Sequence, residues 1–206
     1  LYAPSLFNSY YGWFSSILVQ NVGSAATNVT IDYNDGTPDT TFSLAPKEAK
    51  QTMYRYDITP AHGQETTFAA TVTADNATDE IVAIVNQASW PEAPTYPHSD
   101  QAQTYSAFSA GYNDWGLPSI FQKYYNWDTS FTIQNVDPSA SASVSITYSP
   151  NQNTLGGAFA GCTFSTSLAA GDSVEYYQPD HVTSPPAGCT ALPTGYQGSV
   201  SITSTG

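Results

Sequence analysis

The three histidines are the residues of this chain best suited to proton transfer or metal binding, and they lie far apart in the sequence. His62, His98 and His181 have no Cys, His or Glu neighbour at the spacing that a metal site requires. No serine lies in a nucleophile-elbow motif, and no glycine-rich phosphate loop is present. The sequence therefore predicts no enzyme, and no cofactor or metal site.

One acidic segment has the composition of a calcium loop. Residues 32–39 (DYNDGTPD) contain Asp32, Asn34, Asp35 and Asp39, whose side-chain oxygens are the ligands that calcium prefers. Their spacing does not match an EF-hand loop, and Asn-Asp-Gly followed by Thr-Pro is typical of a hairpin turn. The corresponding segment later in the chain, SPNQNTLGG, contains no acidic residue. We therefore expect a turn here.

Aromatic side chains are the stronger indication of function, since the chain has fifteen tyrosines and four tryptophans. The order Tyr-Tyr-x-Trp occurs twice, in Tyr10, Tyr11 and Trp13 and again in Tyr124, Tyr125 and Trp127. Such rings stack on sugars, but they also cap β-sandwich cores and are enriched at subunit interfaces. Because both clusters are alike, we expect anchors for packing or assembly, with a sugar platform as the alternative.

The charge balance restricts the partners of the protein. Seventeen acidic residues stand against four basic ones, for a net charge of −13 at pH 7. Recognition of phosphates needs clustered Lys and Arg, so we expect no binding to nucleic acid or to anionic membranes. The sequence has no run of about 18–20 apolar residues of the kind that spans a bilayer. This composition is typical of a soluble secreted protein.

Two cysteines and two sequons agree with secretion. Cys162 and Cys189 flank a Pro- and Gly-rich stretch, and in an oxidising compartment we expect them to form a disulfide; two free thiols are the alternative. Asn28 and Asn76 each begin an Asn-x-Thr sequon. Covalent glycans, or a surface polysaccharide, are therefore candidate partners.

The elements that carry these residues occur in two copies. Residues 4–22 (PSLFNSYYGWFSSILVQNV) match residues 118–136 (PSIFQKYYNWDTSFTIQNV) after a shift of 114 positions. A period this long indicates duplication of a whole domain rather than a solenoid.

Strand patterns dominate both copies. Val29, Ile31 and Tyr33 alternate with polar residues, and turn-forming clusters separate the apolar runs. The sequence predicts an all-β fold of two tandem antiparallel immunoglobulin-like β-sandwich domains related by the internal repeat. We expect domain 1 at residues 1–89, a proline-rich connector at 90–103 and domain 2 at 104–206, with Thr104–Gly111 as the first strand of domain 2.

The two copies differ in length at their ends. The first continues into residues 80–89 (EIVAIVNQAS), which have no match after residue 206. The chain is a fragment of a longer array, or its domains are small, or another subunit supplies the missing strand. For the last case we expect the donor in residues 1–7, and the acceptor at the edge left after the last strand. The corresponding assembly candidates are Leu1, Tyr2, Leu6, Phe7, Val200 and Ile202.

The segment LPSIFQKYYNWDTSFTIQNV (residues 117–136), with the VSITY strand after it, resembles the tandem β-sandwich modules of secreted bacterial cell-surface and adhesive proteins. The arrangement is also similar to subunits of extracellular pilus-like fibrils. The resemblance implies an extracellular or cell-surface location and brings no catalytic residues. We expect a structural subunit that assembles with itself head to tail into an extracellular filament; the alternative is a carbohydrate-binding or adhesin module.

Overall fold

The structure is a computed structural model of the 206-residue chain, and it describes residues 1–52, 62–63, 65–89, 101–151 and 159–205. These residues form β-strands in antiparallel sheets, so the all-β prediction is confirmed. In these ranges α1 (Asp180–Thr183) is the single helix, and no helix there has the length and apolar character to cross a membrane. The chain divides into two compact units, Leu1–Ala110 (unit 1) and Gly111–Gly206 (unit 2).

The described residues of unit 1 form eight strands. They are β1 (Tyr2–Tyr10), β2 (Trp13–Asn21), β3 (Thr27–Tyr33), β4 (Thr40–Leu44), β5 (Ala49–Thr52), β6 (Thr66–Ala74), β7 (Ile81–Ser89) and β8 (Ala102–Ser106). The strands pair in the order β4-β3-β6-β1-β2-β7-β8, and β5 also pairs with β2. Alternate residues of β2, β3 and β7 are buried, as expected for strands that present one face to a core.

Unit 2 repeats most of this arrangement. Its strands are β9 (Asp114–Gln122), β10 (Ser130–Gln134), β11 (Ala142–Pro150), β12 (Cys162–Leu168), β13 (Ser173–Tyr177) and β14 (Tyr196–Thr205). Four of them pair in the order β12-β11-β14-β9, which matches β4-β3-β6-β1, while β10 pairs with β13 as β2 pairs with β5. Among the residues that the structure describes, unit 2 has no strand equivalent to β7.

The Gln-Asn-Val sequence at the end of each matched segment (residues 20–22 and 134–136) has a structural role. The Asn21 amide donates to Ala25 O (2.7 Å) and Leu44 O (3.2 Å), and the Asn135 amide donates to Ala140 O (2.8 Å) and Leu168 O (3.2 Å). Each asparagine is buried and satisfies carbonyls from two segments. Buried polar groups need such partners, so this part of the repeat serves the fold.

The expected start of the second domain is wrong. Residues 102–106 form β8, which pairs with β7 in unit 1, and the Tyr105 hydroxyl donates to Ser5 O at 2.8 Å. Tyr105 packs against the core of unit 1, and its burial raises its pKa. This packing attaches the segment to the first unit, and the boundary falls between Ala110 and Gly111. Residues 90–100 of the expected connector lie outside the described residues.

The disulfide expected from the sequence is present. Cys162, at the start of β12, is bonded to Cys189, and their Cα atoms lie 5.4 Å apart. Both residues pack against the core of unit 2. The bond therefore ties the loop after α1 to the sheet.

Candidate functional site

The edge of β10 that faces away from β13 is the main structural difference between the two units. In unit 1, β7 pairs with β2 along its whole length, from Trp13 opposite Ser89 to Asn21 opposite Ile81. In unit 2, β10 pairs with β13, and no other strand in the described ranges pairs with it. We call the segment 127–135, which includes β10, the open edge. An unpaired strand edge is a template for another strand.

The direction of the backbone groups in the open edge follows from its contacts with the β13 side. The Asn135 N–H donates to Asp172 O (2.8 Å), and Thr129 O accepts from Gln178 N–H (3.3 Å). Successive residues of a strand direct these groups to opposite sides. The N–H and C=O groups of Ser130, Thr132 and Gln134 therefore face away from β13.

The core beneath the open edge is covered less completely than its counterpart in unit 1. Ile17 and Val19 of β2 are fully buried, and β7 adds Ala83 and Val85 to the same core. The residues of unit 2 that correspond to Ile17 and Val19 are only partly buried, and they are Phe131 and Ile133. The side-chain amide oxygen of Gln134 is also buried without a hydrogen-bond partner. A strand in the position of β7 would cover this apolar strip.

The assembly residues expected from the sequence are not at a free edge. Leu6 and Phe7 are buried in β1, Tyr2 pairs with Thr71, and the Leu1 amino group donates to Val72 O at 2.8 Å. This burial holds the first seven residues in unit 1, so their assignment as the donor is wrong.

The expected acceptor is wrong for a different reason. Val200 pairs with both Tyr148 and Leu117, and Ile202 pairs with both Ile146 and Trp115. Both residues therefore lie in a central strand with neighbours on each side. Among the described residues, the strand that lacks a partner in unit 2 is β10 and not β14. The reason is that β7 in unit 1 pairs with β2, the equivalent of β10, and not with β6, the equivalent of β14.

The two aromatic clusters form the same turn in each unit. Phe7 stacks on Tyr10 with ring centroids 5.7 Å apart, and Phe121 stacks on Tyr124 at 5.5 Å. Each turn has three residues at positive φ, which are Ser9 (58°), Tyr11 (46°) and Gly12 (79°) in unit 1 and Lys123 (44°), Tyr125 (49°) and Asn126 (66°) in unit 2. Non-glycine residues in this conformation are uncommon and occur often at functional sites.

The outward rings of the two turns differ in exposure. Trp13 is half-buried opposite Ser89, the last residue of β7, whereas Trp127 is 65 % exposed. Tyr125 is 73 % exposed, and Tyr11 is 38 % exposed. The inner tyrosines serve packing in both units, and the turn of unit 2 presents two rings to solvent beside the open edge.

Two of the three histidines lie within the described residues, and both are buried. His62 Nδ1 lies 2.7 Å from Asp35 Oδ2 in unit 1, while His181 lies among aromatic rings of unit 2. Burial raises the pKa of Asp35, but hydrogen bonds from His62 and Thr37 outweigh it and hold this pKa below its ordinary value. Burial lowers the pKa of His181.

The acidic segment forms a turn, in agreement with the sequence. The Asp35 carboxylate accepts from the Thr37 N–H at 3.0 Å, and Gly36 has φ 79°. Within the ranges that the structure describes, no group of three or more His, Cys, Asp or Glu residues is arranged to hold a metal ion.

Both sequon asparagines are exposed. Asn28 lies on the outer face of β3, where its amide donates to Asp75 Oδ2 at 2.6 Å and accepts from the Ser43 hydroxyl. The Asn76 amide donates to Asp79 Oδ2 at 3.2 Å. A glycan on either side chain would replace these contacts without entering the core.

Comparison of the chain with models of protein families, with curated proteins and with solved structures finds no match. The open edge and the aromatic turn of unit 2 are therefore the features that bear on function.

Proposed function

We propose that the chain is a structural subunit of an extracellular filament, built from two immunoglobulin-like β-sandwiches and joined head to tail by β-strand complementation. The surface modules and pilus-like fibrils that the sequence resembles have this kind of role. The protein has no catalytic role in this proposal. Its partners are other copies of itself, with attached glycans at Asn28 and Asn76 as a further component.

The observation that carries the proposal is the open edge of unit 2. The same position in unit 1 is filled by a nine-residue strand, which shows what kind of element the fold accepts there. Pairing of a strand from one subunit with an edge of the next is a heterologous contact, and contacts of this type build open filaments when they do not close into a ring.

The chemistry of the chain supports an extracellular setting. The Cys162–Cys189 disulfide is a bond that persists in oxidising compartments. A net charge of −13 with only four basic residues keeps free subunits apart at low ionic strength. Assembly then depends on backbone pairing and apolar burial rather than on charge attraction.

Filament formation is tested by Thr132→Pro. The ring removes a backbone N–H that faces the open edge but leaves the ladder with β13 intact. The expected result in negative-stain microscopy is a decrease in filament mass of about tenfold, corresponding to the loss of one backbone hydrogen bond per contact. Thr132→Val, which keeps the N–H and the side-chain shape, is the matched control and should assemble like the parent chain. Equal assembly of both variants would contradict strand complementation at this edge.

A carbohydrate-binding or adhesin function is the second candidate, favoured by the exposed rings of Tyr125 and Trp127. Two aromatic faces at the tip of a turn with a fixed backbone are suited to stacking on sugar rings. The turn adjoins the open edge, and a strand that ends beside Trp127 would compete with a sugar for this ring, since Trp13 is half-buried opposite Ser89.

The carbohydrate candidate is tested by Trp127→Ala on a glycan array. Loss of one stacking ring is expected to weaken sugar binding by about tenfold. Tyr112→Ala removes an aromatic ring of similar exposure (66 %) elsewhere in unit 2 and should leave binding unchanged. An array on which the parent chain binds no glycan would remove this candidate.

A further inference from the structure

We propose that the open edge is the acceptor for a strand supplied by a second copy of the chain. This strand runs antiparallel to Trp127–Asn135 and carries uncharged side chains at every second position, apolar where β7 has Ala83 and Val85. The inference deepens the proposed function, on which it rests for the source of the strand.

The register comes from the equivalent pair in unit 1. There Ile17 lies opposite Val85, and Asn21 lies opposite Ile81. The repeat relates β2 to β10 by a shift of 114 residues without a gap, so Phe131 takes the place of Ile17. The residue of the donor that corresponds to Val85 therefore lies opposite Phe131, and the donor ends beside Trp127.

The side-chain pattern of the donor also follows from β7. Its buried residues are Ala83, Val85, Gln87 and Ser89, which are small or uncharged, whereas Val82 and Ile84 are exposed. The inward positions have to fit above Phe131 and Ile133, which are already partly buried. The outward positions accept polar or charged residues, because they face solvent.

The backbone of the acceptor meets the other requirement of strand addition. Ser130, Thr132 and Gln134 direct their N–H and C=O groups toward the vacant position, and main-chain hydrogen bonds provide the affinity in this mode of recognition. Alternate side-chain sites then provide the specificity.

The test uses the full 206-residue chain and a synthetic peptide with the sequence of residues 80–89, EIVAIVNQAS, measured by isothermal titration calorimetry. We expect saturable binding of one peptide per chain, since the equivalent position in unit 1 is filled by its own β7. A Val82→Lys peptide should bind within about twofold of the parent peptide, because this residue faces outward. A Val85→Asp peptide should bind at least about tenfold more weakly, because it buries a charge.

The Thr132→Pro chain provides an independent arm and should bind the parent peptide at least about tenfold more weakly than the Thr132→Val chain. The two peptide variants are compared on the unchanged chain, so the test holds even if the proline variant does not fold.

Three results would overturn the proposal. One is an absence of saturable binding, and another is an equal loss of affinity with Val82→Lys and Val85→Asp. The third is slow hydrogen exchange at the Thr132 amide of the monomer, which would mean that a segment of the same chain covers the edge.

These outcomes test the acceptor role of the open edge separately from the proposed filament function. Peptide binding with the predicted pattern, in a preparation that forms no filaments, would keep the acceptor and remove the proposed function. Filaments that are unchanged by Thr132→Pro, together with no peptide binding, would remove the acceptor and require another contact for assembly.

Discussion

Leu18→Pro is expected to destabilise unit 1 by about 3 kcal/mol or more, whereas the equivalent Thr132→Pro is expected to destabilise unit 2 by about 1 kcal/mol or less. Leu18 lies opposite Ile84 in the middle of the β2–β7 pair. Proline there removes a ladder N–H, leaves a carbonyl of β7 unpaired and places its ring against the neighbouring strand. Thr132 has the same position in β10, but its N–H faces a vacant edge, where proline is tolerated.

This contrast is measured by urea unfolding followed by hydrogen exchange and mass spectrometry on peptides from each unit, so that each unit reports its own stability. Leu18→Val and Thr132→Val are the matched controls, because they keep the N–H groups. Equal destabilisation by the two prolines would show that a strand in the free chain already pairs with β10, and the open edge would then not exist.

Removal of the disulfide is expected to lower the free energy of unfolding of unit 2 by about 3–4 kcal/mol. Cys162 and Cys189 are separated by 27 positions, and their bond restricts the unfolded chain. Both lie against a core that one missing strand already leaves partly uncovered. A Cys162→Ala/Cys189→Ala double variant, studied by the same unit-resolved unfolding experiment, provides the measurement.

Unit 1 is the internal control for this experiment, since it contains no cysteine and should keep its stability. Reduction of the parent chain should reproduce the effect of the double variant on unit 2. A loss below about 1 kcal/mol, or an equal loss in both units, would contradict the assigned role of the bond.

Features that depend on local pattern could be predicted from the sequence. Alternation in segments such as Val29–Tyr33 identified strands, two cysteines in a chain of secreted character identified the disulfide, and Asn-Asp-Gly identified a turn. Each of these depends on neighbouring residues or on one simple pairing. The repeat also identified correctly which segment of the first copy has no match in the second.

The position of the open edge could not be predicted, because strand pairing in this fold is not sequential. The strand β7 follows β6 in the chain but pairs with β2, whose paired residues lie at least 60 positions earlier (Asn21 opposite Ile81). A linear comparison of the chain ends therefore predicts an acceptor at Val200 and Ile202, but these residues lie in a central strand. The assignment of β8 to the second domain was wrong for a different reason, since β8 pairs with β7, the strand that precedes it, and the comparison of the two copies does not show this pairing.

The aromatic turns illustrate a second limitation. The two clusters are almost identical in sequence, so their side chains were expected to have the same role. Their environments differ because Trp13 lies opposite the end of β7, whereas Trp127 has no such neighbour. The exposure of each tryptophan depends on whether a strand distant in the sequence, such as β7, lies beside it. The same motif is therefore half-buried at Trp13 and exposed at Trp127.

Hydrogen exchange at the amides of Ser130, Thr132 and Gln134, compared between the soluble chain and assembled filaments, tests the central claim most directly. Exchange should be fast in the soluble chain, while Ser16, Leu18 and Gln20 of unit 1 exchange slowly in both states, because β7 covers them. Assembly should slow the exchange of the three unit 2 amides to the range of their unit 1 equivalents. Equal exchange rates for these amides in filaments and in the soluble chain would contradict assembly through the open edge.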